Sequence, residues 1–128
     1  MNAEHKRDYV EFVRLGFNDA CDNFLVNFNR FEFDNLRKAI ASVDSYNEFS
    51  GKRVAAAFKK IEHLALSAEF GREGSPVLYI RLRRQESEVL GTGEPIGAEE
   101  VLQAFKSTKV DEAGARPNDA GLIRLWWD

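Results

Sequence analysis

Apolar and polar residues alternate most regularly over residues 63–84, where the chain reads HLALSAEFGREGSPVLYIRLRR. The two halves of this stretch alternate with a period of two around a break that contains glycine, serine and proline. This pattern is typical of a β-hairpin with one buried face. In the second half, Leu78, Ile80 and Leu82 share a face, so we expect them in the core. The residues that alternation assigns to the buried face of the first half are Leu64, Leu66, Ala68 and Phe70.

Helical spacing of apolar residues, by three and four, dominates most of the remaining chain. The helices that it predicts span residues 4–27, 34–45, 52–61 and 98–106. Ser50 stands where a hydroxyl can cap the third of these helices. The polar, turn-rich stretch 107–121 is predicted to be a loop. Residues 122–127, LIRLWW, have the aromatic and branched composition of a final strand.

The predicted order is three helices, two strands, a helix and a strand, which differs from the strict alternation of doubly wound folds. It favours the α+β class. We expect a small, mostly antiparallel sheet, made of the hairpin at 63–84 and the C-terminal strand at 122–127 and covered on one face by about four helices. A chain of 128 residues has the length of one domain, so we expect a single domain over residues 1–128.

Charge is unevenly distributed along this acidic chain, whose net charge is −3. Residues 51–84 carry eight Lys and Arg against three acidic residues, whereas residues 1–50 carry six against nine and residues 85–128 four against nine. A basic segment between acidic ones indicates either a patch that faces anions or nucleic acid, or pairing with acidic neighbours inside the protein. The candidate cations of such a patch are Lys52, Arg53, Lys59, Lys60 and Arg84.

The polar face of the predicted sheet carries residue types that are common at binding surfaces. Five residues fall on it by alternation: Tyr79, Arg81, Arg83, Arg124 and Trp126. Tyrosine, tryptophan and arginine are enriched at protein-binding hot spots, because each offers a large contact area and a polar group. The same residue types suit single-stranded nucleic acid, by stacking on bases and pairing with phosphates. The alternative is a solvated face held together by pairs of arginine and glutamate across strands.

Motifs of catalysis and metal binding are not found in the chain. Cys21 is the single cysteine, so no intramolecular disulfide forms, and no cluster of cysteine and histidine has zinc spacing. The glycines at 91 and 93 do not form a dinucleotide or phosphate-binding motif. His5 and His63 lie far apart in sequence, and the G-x-S-x-G motif is absent. We therefore expect no cofactor and no metal.

These observations favour a small, cytosolic, non-catalytic protein-binding module of regulator, inhibitor or immunity and accessory type, acting through the face with Tyr, Arg and Trp. The alternative is a nucleic-acid or nucleotide binder that uses the basic segment 52–84, and a second alternative is an enzyme without a recognisable motif. The polar N-terminus and the lack of about 18 consecutive apolar residues predict a cytoplasmic protein without a membrane partner. A homodimer through the Phe-rich N-terminal helix is a further alternative.

Overall fold

The computed structural model describes residues 9–18, 22–43, 49–86 and 93–128. Within these ranges the chain forms four α-helices and five β-strands. The helices are α1 (Tyr9–Asn18), α2 (Phe33–Ser42), α3 (Gly51–Ile61) and α4 (Ala98–Phe105), and the strands are β1 (Asn23–Asn29), β2 (Ala65–Glu73), β3 (Ser75–Leu82), β4 (Glu112–Arg116) and β5 (Asp119–Trp126).

All five strands join one antiparallel sheet in the order β1-β2-β3-β5-β4. The predicted α+β class is therefore confirmed, and so is the pairing of the hairpin with the C-terminal strand. That pairing sets Tyr79 of β3 opposite Arg124 of β5. The sheet is wider than predicted, because β1 and β4 extend it at its two edges.

The four helices cover one face of the sheet, where the core lies. Leu78 pairs with Leu125 and Ile80 with Ile123 across β3 and β5, and all four side chains are fully buried. They belong to one hydrophobic cluster with helical residues, among them Phe58 of α3. Since alternate residues of a strand point to opposite faces, the residues between them lie on the side away from the helices.

The hairpin turns at Gly74, whose positive φ of 76° suits glycine. A register shift between Ala65 and Ser67 interrupts the alternation at the start of β2. As a result Ala65 is fully buried and Leu66 is 43% exposed. The prediction that Leu66 is buried is therefore wrong, because a bulge adds one residue to a strand and reverses the facing of what precedes it.

The predicted first helix, residues 4–27, is wrong beyond α1. Residues 23–29 form β1, whose Val26 and Phe28 lie opposite Phe70 and Ala68 of β2. Apolar residues at 24, 26 and 28 fit the period of a strand, and pairing with β2 satisfies the backbone of both. Residues 4–8 and 19–21, including Cys21, lie outside the described residues.

Phenylalanines from this part of the chain divide between core and surface. Phe28 and Phe33 are buried, whereas Phe31 is 82% exposed. Phe31 sits in a short 3-10 turn that Asn29 caps by accepting a hydrogen bond from the Phe31 amide at 2.9 Å. The guanidinium carbon of Arg30 lies 4.7 Å from the centre of the Phe31 ring. The homodimer that was predicted to form through the Phe-rich N-terminal helix stays a prediction.

The predicted loop at 107–121 contains β4, and β5 begins at Asp119, before the predicted start at 122. The sequence of β4 is EAGAR, and all of its residues except the glycine are exposed. An edge strand without an apolar face has no alternation to reveal it, which is why this prediction is wrong. The other helices lie close to their predicted bounds, and Ser50 caps α3 by accepting from the Arg53 amide at 3.4 Å.

Candidate functional site

The carboxylate of Glu73 accepts several hydrogen bonds on the sheet face that the helices leave uncovered. It accepts hydrogen bonds from the Tyr79 hydroxyl, at 2.9 and 3.0 Å to its two oxygens, and from Arg124 Nε at 2.9 Å. The indole N–H of Trp126 donates to the backbone oxygen of Glu73 at 3.0 Å. One residue at the end of β2 thus fixes three side chains. We call Glu73, Tyr79, Arg81, Arg124 and Trp126 the polar sheet face.

Arg124 is the most enclosed charge of the polar sheet face, with a side chain only 19% exposed. Besides Glu73 it reaches a second carboxylate, Glu112 of β4, at 3.0 Å from Nη1. Its guanidinium carbon also lies 5.9 Å from the centre of the Trp126 ring. Two carboxylates and a ring therefore hold the guanidinium in one orientation.

Arg81 is the second arginine of this face that forms an ion pair. Its Nη1 lies 2.6 Å from a carboxylate oxygen of Asp119, at the start of β5. The other Asp119 oxygen accepts from the Gly121 amide at 3.1 Å. The hydrogen bond from Arg81 holds the pKa of Asp119 below its usual range. The two arginines at the centre of the polar sheet face are thus both neutralised within the fold.

The contacts within this cluster move the pKa values of Tyr79 and Arg124 further above neutral pH. Burial raises the pKa of Tyr79, and the hydrogen bond to Glu73 raises it further. Burial alone would lower the pKa of Arg124, but its interactions with Glu73 and Tyr79 outweigh burial and raise that pKa. At neutral pH the cluster therefore presents a neutral phenol and a charged guanidinium.

An apolar patch accompanies these polar groups. Val77 pairs with Trp126 across β3 and β5 and is fully buried, although it belongs to the side of the sheet that the helices leave uncovered. The hydrogen bond from the indole to Glu73, which lies on the far side of β3, requires the ring to cross over β3. On the same side Leu25 of β1, opposite Gly71, is 41% exposed.

The structure brings together four of the five partner-binding residues predicted from the sequence. The fifth, Arg83, lies just beyond β3, where its amide donates to the Leu64 oxygen at 2.9 Å. Its Nε is buried without a hydrogen-bond partner in the described ranges. Sequence reasoning missed Glu73, although continuing the alternation of β2 past Glu69 would have placed it on this face.

The predicted basic patch divides between two parts of the molecule. Lys52, Arg53, Lys59 and Lys60 are exposed on α3, in the helical layer on the other side of the sheet. Arg84 lies beyond the end of β3 and donates to the Gly93 oxygen at 3.0 Å. The segment that is continuous in sequence is therefore not one surface.

Other kinds of site find little support in the described part of the chain. No three metal-ligating side chains come together there. Its helices are too short or too polar for any of them to cross a membrane. Neither a protein-family model, nor a curated protein, nor a solved structure matches the chain.

Proposed function

We propose that this protein is a binding module that docks its polar sheet face onto a partner protein. The observation that carries the proposal is the fixation of Tyr79, Arg124 and Trp126 by a single residue, Glu73. Binding costs about 0.5–1.5 kcal/mol for each rotamer-rich side chain that must be immobilised. Side chains that are already held avoid much of this cost, and tyrosine, tryptophan and arginine are the types that dominate hot spots.

The charges of the polar sheet face favour a protein over nucleic acid as its partner. Arg81 and Arg124 each already contact a carboxylate within 3 Å. A phosphate would have to displace these carboxylates, and it would meet the negative charge of Glu73 and Asp119 around them. A protein surface with an apolar centre for the Trp126 indole and a rim of both charge signs matches this arrangement. Covering a surface on such a partner is how a regulator or an inhibitor acts.

The test is affinity capture followed by measurement with the purified partner. Protein is captured from a cell extract with the wild type, with Trp126→Ala and with Arg81→Glu, and the wild-type partner is then titrated by calorimetry. Truncating a hot spot costs at least about 2 kcal/mol, so Trp126→Ala is expected to weaken binding by roughly 30-fold. Arg81→Glu places a carboxylate against Asp119 and the partner, and it is expected to weaken binding as well.

Phe31→Ala is the matched control, because it truncates an aromatic side chain that is 82% exposed outside the polar sheet face. It is expected to leave the affinity unchanged. Equal affinities for the wild type and Trp126→Ala, or a loss confined to Phe31→Ala, would show that the partner docks elsewhere. Thermal unfolding of each variant checks that the fold is intact.

A further inference from the structure

We propose that the exposed side of α3 is a second binding surface, which takes the phosphate backbone of double-stranded nucleic acid. This surface, the α3 ridge, consists of Lys52, Arg53, Ala56, Lys59 and Lys60. It lies in the helical layer, on the opposite side of the sheet from the polar sheet face. The inference therefore does not rest on the proposed protein docking, and each surface is tested with its own substitutions.

The spacing of the cations gathers them on one side of the helix. Lys52 and Lys59 are seven residues apart, as are Arg53 and Lys60, and residues separated by seven share a helix face. All four are exposed. Seven residues rise by about 10.5 Å along an α-helix. This rise matches about three phosphates of one DNA strand, which follow one another every ~3.4 Å along the duplex axis.

Ala56 lies between the two pairs of cations and is itself exposed. A methyl side chain at this point lets another molecule come close to the helix backbone. The longer basic side chains on either side of Ala56 then surround the approaching molecule. A large or acidic residue at the centre would have blocked or repelled a phosphate backbone.

The positive charge of the α3 ridge is not compensated. In the part of the chain that the structure describes, no carboxylate pairs with its four cations. Arg37 on the neighbouring helix α2 contrasts with them, since it contacts both Asp34 and Glu62, the latter at 3.2 Å. Arg81 and Arg124 on the sheet are likewise paired. Clustered cations without a carboxylate partner bind phosphates, and the affinity arises from the release of counterions.

Two surface grooves run along the sides of the α3 ridge and continue its basic character. A groove of about 370 Å³ between α2 and α3 has Lys38 and Lys59 among its lining residues, together with Arg37 and its ion-pair partner Asp34. A second groove of about 260 Å³ lies toward α4 and contains Arg53 and Lys60. The hydroxyl of Ser107 also lines the second groove and can donate to a phosphate oxygen.

The chemistry of these grooves favours a duplex over a single strand. The described residues that line them include alanines, basic residues, Asp34 and Ser107, but no aromatic ring. Proteins that hold single strands stack bases on aromatic side chains. A surface with cations and without rings reads only the backbone, and a duplex presents that backbone without requiring the bases to be unstacked.

The test is fluorescence anisotropy with a short labelled DNA duplex, titrated with the full chain at several salt concentrations. Neutralising four phosphates predicts a slope of log K against log salt of about −3.6, at ~0.9 per contact. The variant Lys59→Ala/Lys60→Ala removes two contacts and is expected to reduce the slope by about 1.8 and to weaken binding. The double variant Arg30→Ala/Arg116→Ala changes the net charge equally at exposed positions outside the α3 ridge, and it is expected to bind like the wild type.

Parallel titrations use the unlabelled single strand as competitor and vesicles with anionic headgroups. Absence of duplex binding at low salt up to protein concentrations of about 10⁻⁴ M, the weak end of non-specific binding, would overturn the proposal. So would stronger binding to the single strand or to the vesicles, or an equal loss in the control variant. Trp126→Ala is expected to leave duplex binding unchanged, which separates this outcome from failure of the protein-docking proposal.

Discussion

Replacing Glu73 by glutamine tests how the polar sheet face is held together. The change removes the charge but keeps the shape, so Tyr79 and Arg124 lose a charged acceptor for hydrogen bonds of 2.9 Å. Glu112→Gln is a matched control. Glu112 contacts the same guanidinium at 3.0 Å, but its side chain is 64% exposed, against 34% for Glu73.

The two substitutions are expected to differ in their effect on the free energy of unfolding. Hydrogen bonds to charged groups contribute about 1.5–3 kcal/mol each when sheltered from water. Solvent reaches a third of the Glu73 side chain, and glutamine still accepts one of the two bonds, so we expect Glu73→Gln to cost about 2 kcal/mol. Exposed ion pairs contribute about 0–1 kcal/mol, so Glu112→Gln should cost less than about 0.5 kcal/mol.

Urea unfolding at neutral pH measures both values. With slopes of about 1–3 kcal/mol per molar urea, a loss of 2 kcal/mol lowers the midpoint by roughly 1 M. The slope itself should not change, because neither substitution alters the surface exposed on unfolding. If both variants unfold at the wild-type midpoint, or if both shift equally, Glu73 does not hold this face together.

Further outcomes follow from tight packing and from shifted pKa values. Gly71→Ala should prevent proper pairing of β2 with β1, because a Cβ atom there would lie 2.0 Å from a backbone oxygen of β1. In the control Gly114→Ala the added Cβ atom meets nothing within 4 Å. Circular dichroism and thermal unfolding compare the two variants. Burial, and then the hydrogen bond to Glu73, raise the pKa of Tyr79. This shift stabilises the folded state fully below the pKa of about 10 of an unfolded tyrosine, and the stabilisation is lost as pH rises through the folded pKa. Tyr79→Phe should therefore make the free energy of unfolding depend less on pH in alkaline solution. The hydrogen bond from Arg81 lowers the pKa of Asp119. This shift stabilises the folded state above the pKa of about 3.9 of an unfolded aspartate, and the stabilisation is lost as pH falls through the folded pKa. Asp119→Asn should therefore make the free energy of unfolding depend less on pH in acid solution.

The parts of the fold that the sequence predicted correctly are those whose pattern is strong and whose packing agrees with it. Leu78, Ile80 and Leu82 alternate without interruption and are all fully buried. The parity of the last strand also holds, since Trp127 is 1% exposed and Trp126 lies on the other face. A hydrogen bond of 3.1 Å from the Trp127 indole to the Thr108 oxygen satisfies its one polar group in the core.

The errors occur where local pattern and tertiary context disagree. β1 carries apolar residues that fit a helix and a strand equally, and only its partner β2 decides between them. β4 has small and charged residues, so its pairing with β5 is set by the backbone rather than by buried side chains. The exposed Leu66 results from a register shift that no periodicity can anticipate.

The residue types of the candidate site could be predicted from the sequence, but the hydrogen bonds and ion pairs between them could not. Alternation placed Tyr79, Arg81, Arg124 and Trp126 on one face. The partners of these residues lie six to 53 positions away in sequence, as in the bond from Trp126 to Glu73. Only the strand order brings them together. The position of α3 in the helical layer separates its cations from the arginines of the polar sheet face, although both groups belong to one basic segment of the sequence.

The claim that the polar sheet face docks onto a protein is tested most directly by the two tryptophan indoles. Trp126 lies on that face and Trp127 in the core, and they are the only tryptophans in the chain. Each gives one indole N–H signal in a nitrogen–proton NMR spectrum of labelled protein, assigned by Trp126→Phe. Adding the captured partner is expected to shift or broaden the Trp126 signal and to leave that of Trp127 in place. If complex formation moves neither indole while the backbone amide of Ala56 on α3 shifts, the partner binds the helical layer and the account is contradicted.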